Sequence, residues 1–123
     1  MISKRAYGKT GLMVSALGLG AAQIGDPNLE EANVAALLNS AVDAGITLID
    51  TARSYGLSEE RIGRHLASRR DDIVLSTKLG YGIAGYEDWT GPCITSGIEQ
   101  ALRMLRTDRI DICLLYTSPS PRD

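Results

Sequence analysis

The strongest constraint on the fold is a regular alternation between short apolar runs and longer amphipathic stretches. Four runs are nearly continuous in apolar residues, at positions 16–19, 47–49, 73–77 and 110–115. Runs of this kind are typical of parallel strands that are covered on both faces. Parallel strands need a long connection, commonly a helix, and the intervening stretches have that length. The alternation therefore predicts successive βα units.

The stretches between the runs show helical spacing and helix-end signals. One face of a helix predicted over residues 29–44 carries the apolar residues Val34, Leu37, Leu38, Ala41 and Val42. Gly45 follows as a stop signal. A second helix is predicted from Ser58, with the Ser58 hydroxyl as its N-cap. A third is predicted over about residues 92–106, with Thr90 as a candidate cap.

The two ends of the chain differ from this pattern. Residues 5–7 and 12–14 flank a glycine-containing turn, which predicts an N-terminal β-hairpin. Residues 117–123 are polar and interrupted by prolines directly after a buried-type strand. We therefore expect one domain over residues 1–115 and an unstructured tail over residues 116–123. The tail resembles translated adapter sequence, which predicts a truncated reading frame.

Composition excludes several classes of function. A net charge of -2 without a basic stripe argues against nucleic acid as a partner. No apolar run approaches the roughly 20 residues that span a bilayer, so a membrane is not expected. The two cysteines form no CxxC pair and the chain has one histidine, which leaves no metal ligand set. Reduced thiols and the absence of an uninterrupted signal sequence favour a cytoplasmic location.

Three chemically capable side chains fall at or just after predicted strand ends. Asp50 follows the second run, Tyr55 lies in the next loop, and Lys78 closes the third run. Loops that follow parallel strands share one rim, so these side chains are expected to converge. An ammonium beside a phenol favours the ionised phenol, which makes it a usable proton donor for a carbonyl oxygen. Taken alone, the same residues also fit a structural salt bridge and a surface tyrosine.

Several segments carry a resemblance to a known family. They are GLG (residues 18–20), IDTARSYG (49–56), SEERIG (58–63), STK (76–78) and LRMLRTDRID (102–111). In this order and spacing, over residues 5–115, the chain resembles the aldo-keto reductases. The resemblance implies a (β/α)8 TIM barrel, of which this chain holds the N-terminal hairpin, the first four strands and three helices. It also implies reduction of aldehydes or ketones, or oxidation of the corresponding alcohols or sugars, with a nicotinamide cofactor, NADP being favoured over NAD.

The resemblance assigns roles to individual positions. Tyr55 matches the family's proton donor, Lys78 the lysine that tunes it, and Asp50 the lysine's partner. The predicted contacts to cofactor and substrate involve further residues: Gly20, Ala21 and Asp50 for the cofactor, and Ala22, Tyr55 and Trp89 for a small carbonyl substrate.

The chain also departs from the family pattern. Tyr116 stands where the family has a catalytic histidine, and the four later strands that supply most of the cofactor pocket are missing. We therefore expect the 123-residue chain to be poorly soluble or oligomeric and inactive alone. The sequence leaves the oligomeric state of the parent protein open.

Two alternatives remain open at this point. A doubly wound dinucleotide-binding domain would use residues 18–20 as part of its fingerprint, but Gln23 stands where a third glycine or alanine is needed. The functional alternative has the same barrel fold and the same motifs. It is a nicotinamide-binding regulatory or scaffolding subunit that turns over no substrate.

Overall fold

The computed structural model describes residues 2–115, so the predicted tail and Tyr116 lie outside the described residues. The strands are β1 (Lys4–Ala6), β2 (Met13–Ser15), β3 (Leu19–Gly20), β4 (Leu48–Asp50), β5 (Val74–Lys78) and β6 (Ile112–Leu114). The helices are α1 (Glu31–Asp43), α2 (Ser58–Leu66) and α3 (Gly91–Leu105), with short 3-10 turns at Gln23–Gly25 and Ala67–Asp72. The element order is the one predicted from the sequence.

The sheet positions the functional residues. Strands β1 and β2 form an antiparallel hairpin, whereas β3, β4, β5 and β6 pair in that order as a parallel sheet. One helix lies between β3 and β4, one between β4 and β5, and one between β5 and β6. The carboxyl ends of these strands therefore face one edge, which is the arrangement of the first half of a (β/α)8 barrel.

The predicted strand positions need small corrections. Strands β4 and β5 each extend one residue past their apolar runs, because the backbone ladder continues through polar side chains. Asp50 and Lys78 are therefore the last residues of their strands. The first predicted strand is wrong over residues 16–18. Ala16 donates its amide to Ser3 beside the hairpin, and pairing with β4 begins only at Leu19.

The core lies between the helices and the parallel sheet of β3 to β6. Its largest fully buried side chains are Leu38, Ile49, Ile62, Leu66, Leu75 and Leu105. Helices α2 and α3 approach closely at Gly63, where an added Cβ would lie 2.3 Å from the carbonyl oxygen of Met104. On the predicted apolar face of α1, Leu37 is an exception because it is 49% exposed. No helix in residues 2–115 is long and apolar enough to cross a membrane.

The helix ends follow two of the three predictions. Thr90 caps α3 by accepting a hydrogen bond from the Cys93 amide at 3.4 Å. Gly45 adopts a φ of 101° just after α1, a conformation that glycine tolerates best. The prediction for Ser58 is wrong, because α2 has no side-chain cap and the residue before it is Leu57. The Ser58 hydroxyl has buried partners on two other loops.

A buried arginine fixes the segment that leads into α1. The guanidinium of Arg61, on α2, donates to the carbonyl oxygens of Ile24, Asp26 and Leu29 at 2.7, 2.8 and 2.9 Å. It also donates to the Glu31 carboxylate at 2.8 Å. Because a single buried side chain satisfies three backbone carbonyl groups of this segment, Arg61 ties the loop after β3 to α2.

The same cluster gives the fold an expected acid sensitivity. Hydrogen bonds from His65, Arg61 and Arg64 lower the pKa of Glu31 from 4.5 to about 2. Folding lowers the pKa of this carboxyl group, so the group stabilises the native state at pH values above its pKa in the unfolded chain. The stabilisation is lost as the pH falls through the pKa of the folded state. We expect the melting temperature advantage of the native chain over Glu31→Gln to shrink between pH 4.5 and pH 2. A difference that stays constant across this window would contradict the assignment.

Candidate active site

The ends of β4 and β5 bring a carboxylate and an ammonium together. Lys78 Nζ lies 3.3 and 3.4 Å from the two carboxylate oxygens of Asp50. It also donates to the carbonyl oxygen of Thr51 at 2.9 Å. Lys78 is only 5% exposed, whereas the Asp50 side chain is 41% exposed. The ion pair therefore anchors a buried ammonium at the edge of an accessible rim.

The loop after β4 adds the phenol. Lys78 Nζ lies 4.8 Å from the centroid of the Tyr55 ring, within the range of a cation–π contact. The loop is held as a tight turn, because the Tyr55 amide donates to Ala52 and the Tyr55 carbonyl accepts from the Ser58 amide. The structure thus brings Asp50, Tyr55 and Lys78 into one cluster.

Competing effects set the charge state of Lys78. Burial lowers the pKa of the ammonium, but the Tyr55 hydroxyl and the Asp50 carboxylate act in the opposite direction. The net effect raises the pKa of Lys78 above 10.5. Lys78 therefore stays positively charged at neutral pH.

A second carboxyl group interacts electrostatically with Lys78 and was not identified from the sequence. Glu59, on α2, is 6% exposed and accepts a hydrogen bond from the Thr77 hydroxyl at 2.7 Å. Burial raises the pKa of Glu59 above 4.5, and the Thr77 bond, Arg53 and Lys78 partly offset this effect. The sequence showed a glutamate at a helix start, where an exposed position interacting with the helix dipole is the usual expectation.

The loop after β3 lies next to Asp50. Gly20 pairs with Asp50 in the parallel ladder, is exposed, and has no atom within 4 Å of the position of a Cβ. Ala22 is also exposed, whereas Ala21 is fully buried and donates its amide to the Asp50 carbonyl at 2.9 Å. The open surface at Gly20, beside the Asp50 carboxylate, leaves room for the predicted cofactor contact of Gly20. Ala21 would contribute through its backbone, and its contact with the cofactor stays a prediction.

Trp89 lies on the loop after β5, at the same edge. Trp89 is 39% exposed, and its ring packs against the Tyr81 ring with centroids 5.5 Å apart. The Tyr81 hydroxyl is hydrogen-bonded to the Ser54 hydroxyl at 2.9 Å, directly before Tyr55 in the chain. The predicted substrate contact of Trp89 is untested, but the ring is connected to the Tyr55 loop.

A contact between two backbones fixes the Tyr55 loop, and sequence analysis missed it. Gly25 is buried, and a Cβ added there would lie 1.6 Å from the carbonyl oxygen of Tyr55. The Gly25 carbonyl accepts the amide of Leu57 at 3.0 Å. The only signal in the sequence was the glycine itself.

Comparison with known proteins decides the family. The model of the aldo/keto reductase family matches residues 16–118. The chain belongs to the aldo/keto reductase family. It is 35% identical over 120 residues to the uncharacterized oxidoreductase YqkF of Bacillus subtilis, covering 92% of this chain and 38% of YqkF.

Solved structures agree with the reductase fold. PA4992 of Pseudomonas aeruginosa superposes with a TM-score of 0.82 at 40% identity, covering 91% of this chain and 46% of that one. An aldo-keto reductase from Klebsiella pneumoniae, solved with NADPH, gives a TM-score of 0.78 at 29% identity, covering 98% and 41%. The chain thus spans less than half the length of these relatives. The predicted family and the partial (β/α)8 barrel are confirmed, and the dinucleotide-binding alternative is wrong.

Proposed function

We propose that this chain supplies the proton-donor half of an active site that transfers hydride between NADP(H) and a small carbonyl compound. The observation that carries the proposal is the position of Lys78, whose ammonium lies 4.8 Å from the Tyr55 ring centroid and is paired with Asp50. A buried cation beside a phenol on an open rim suits proton transfer to an oxygen that gains negative charge.

Each residue has a distinct task in this proposal. The Tyr55 hydroxyl donates a proton to the carbonyl oxygen, and the Lys78 ammonium stabilises the phenolate that remains. Asp50 keeps the ammonium charged and in place, which offsets the cost of burying it. In the oxidative direction the Tyr55 phenolate accepts the proton, so an alcohol or sugar is an equally suitable substrate.

The cofactor contacts belong to the same proposal. Gly20, Ala21 and Asp50 are the residues of this chain that would hold the nicotinamide, and Ala22, Tyr55 and Trp89 would contact the substrate. A bound nicotinamide supplies or accepts the hydride. The Klebsiella reductase solved with NADPH supports NADP over NAD as the cofactor to test first.

A joined barrel tests the proposal. We define it as residues 1–115 of this chain followed by the remaining part of the Klebsiella reductase, which restores the later strands. We expect it to oxidise NADPH with simple aldehydes, whereas the 123-residue chain alone is expected to show no turnover. Calorimetric binding of NADPH and cooperative unfolding serve as controls for folding.

The alternative function gives a different result in the same experiment. A folded joined barrel that binds NADPH without reducing any aldehyde or ketone would favour a non-catalytic regulatory or scaffolding subunit. Turnover by the 123-residue chain alone would contradict the expectation that the first half-barrel is inactive.

A further inference from the structure

Two buried hydroxyl groups connect the loops of the active site. Thr51 and Ser58 are both 0% exposed, and their hydroxyl oxygens lie 2.7 Å apart. The Ser58 hydroxyl donates to the carbonyl oxygen of Ala21 at 2.8 Å. A hydroxyl has one proton, so Ser58 must accept from Thr51. The bonds therefore run from Thr51 through Ser58 to Ala21.

The two hydrogen bonds, from Thr51 to Ser58 and from Ser58 to Ala21, form a relay between loops. Both ends of this relay lie at the active site. At one end, the carbonyl oxygen of Thr51 accepts the Lys78 ammonium at 2.9 Å. At the other end, Ala21 follows Gly20, and its amide donates to the carbonyl of Asp50 at 2.9 Å. The Thr51 amide is itself fixed by Ser76 of β5 at 2.8 Å. The relay thus joins the loop after β3 to the residues that hold the ammonium.

Burial raises the free-energy cost of breaking either of these hydrogen bonds. A hydroxyl group that is shielded from water and loses its hydrogen-bond partner keeps the full cost of its desolvation. The relay therefore has a single satisfied arrangement, and that arrangement fixes the position of the Ala21 carbonyl relative to Thr51. A role for Ser58 as helix cap would not need either partner.

We infer that Thr51 and Ser58 are positioning residues that hold the loop after β3 at a fixed separation from the Lys78 ammonium. The inference rests on the proposed function, since this loop carries the predicted nicotinamide contacts of Gly20 and Ala21. The relay keeps the site of hydride transfer aligned with the proton donor. Thr51 and Ser58 themselves have no assigned contact with substrate or cofactor.

Two replacements of Thr51 distinguish the effect of its hydroxyl group from the effect of its side-chain shape. Thr51→Val keeps the volume and removes the donor, whereas Thr51→Ser keeps the donor. Thr95→Val, on the exposed face of α3, is the control for the same chemical change outside the relay. All variants are made in the joined barrel and in the 123-residue chain.

In the joined barrel we expect Thr51→Val to lower kcat by about 10–100-fold, because small misplacements of reacting groups cost this much. The NADPH dissociation constant should stay within about threefold, and the isotope effect with 4-deuterated NADPH should rise. A loss of folded enzyme would lower kcat without changing the isotope effect. Thr51→Ser should recover most of kcat, and Thr95→Val should match the unsubstituted protein.

Hydrogen exchange in the 123-residue chain gives a readout that does not depend on catalysis. Mass spectrometry should find faster exchange around residues 19–25 in Thr51→Val, by about tenfold, and unchanged exchange in Thr51→Ser and Thr95→Val. If the unsubstituted joined barrel is inactive, the proposed function fails. The hydrogen-exchange result still shows whether Thr51 and Ser58 hold the loop after β3 in place. Equal kcat, isotope effect and exchange for Thr51→Val and Thr51→Ser would overturn the inference.

Discussion

Replacing Tyr55 with phenylalanine in the joined barrel is expected to lower kcat by about 10²–10⁴-fold, the usual contribution of a positioned general acid. The ring remains, so its contact with Lys78 and the packing of the loop are retained. The variant loses the proton donor and the hydroxyl group that interacts with Lys78. Stopped-flow oxidation of NADPH with a simple aldehyde measures the effect, and NADPH binding should change little.

A matched control separates the hydroxyl at Tyr55 from tyrosines in general. Tyr86 is 46% exposed on the loop after β5, and Tyr86→Phe removes a hydroxyl from that surface. We expect this variant to retain the activity of the unsubstituted barrel. If Tyr55→Phe and Tyr86→Phe have equal kcat, Tyr55 is not the proton donor.

Replacing Gly25 with alanine should damage both the fold and the site. The added methyl group would overlap the carbonyl group of Tyr55, at 1.6 Å from the oxygen and 2.7 Å from the carbon. Both obstructing atoms belong to the backbone, so no side-chain rotation relieves the overlap. We expect a loss of about 1–3 kcal/mol in the free energy of unfolding, as for an overpacked core.

The displacement of the Tyr55 backbone should also lower the rate of catalysis. Because the Tyr55 carbonyl must move, the phenol moves with it, and we expect kcat of the joined barrel to fall by about 100-fold. Gly91→Ala is the matched control, since Gly91 is exposed and nothing lies within 4 Å of its added Cβ. Denaturant unfolding and kinetics of the two variants check the prediction. Equal behaviour would show that the backbone contact at Gly25 is dispensable.

Much of the fold was predictable because its determinants are local. The apolar runs and helical periodicity predicted the order of strands and helices. Gly45 signalled a helix end through its backbone conformation, and Thr90 through its side-chain hydroxyl. The first strand was placed too early because Ala16 is apolar but pairs with Ser3 beside the hairpin. Strand pairing depends on a distant partner, which apolar character does not identify.

The site was predictable only in part for the same reason. Asp50 and Lys78 end parallel strands, so their proximity followed from topology, and the family resemblance added Tyr55. The roles of Ser58 and Glu59 depend on partners 37 and 18 positions away in the chain. Ser58 looked like a helix cap because capping is the commonest local use of serine at that position. Only the three-dimensional structure reveals the competing buried partners.

The central claim is that Asp50 and Tyr55 converge on a buried, charged Lys78. In ¹³Cε-lysine NMR of the joined barrel, the signal that disappears in Lys78→Arg identifies Lys78. We predict a pKa of Lys78 above 10.5, which Asp50→Asn and Tyr55→Phe each lower. A Lys78 pKa at or below 10.5 that changes in neither variant would contradict the convergence of Asp50 and Tyr55 on Lys78.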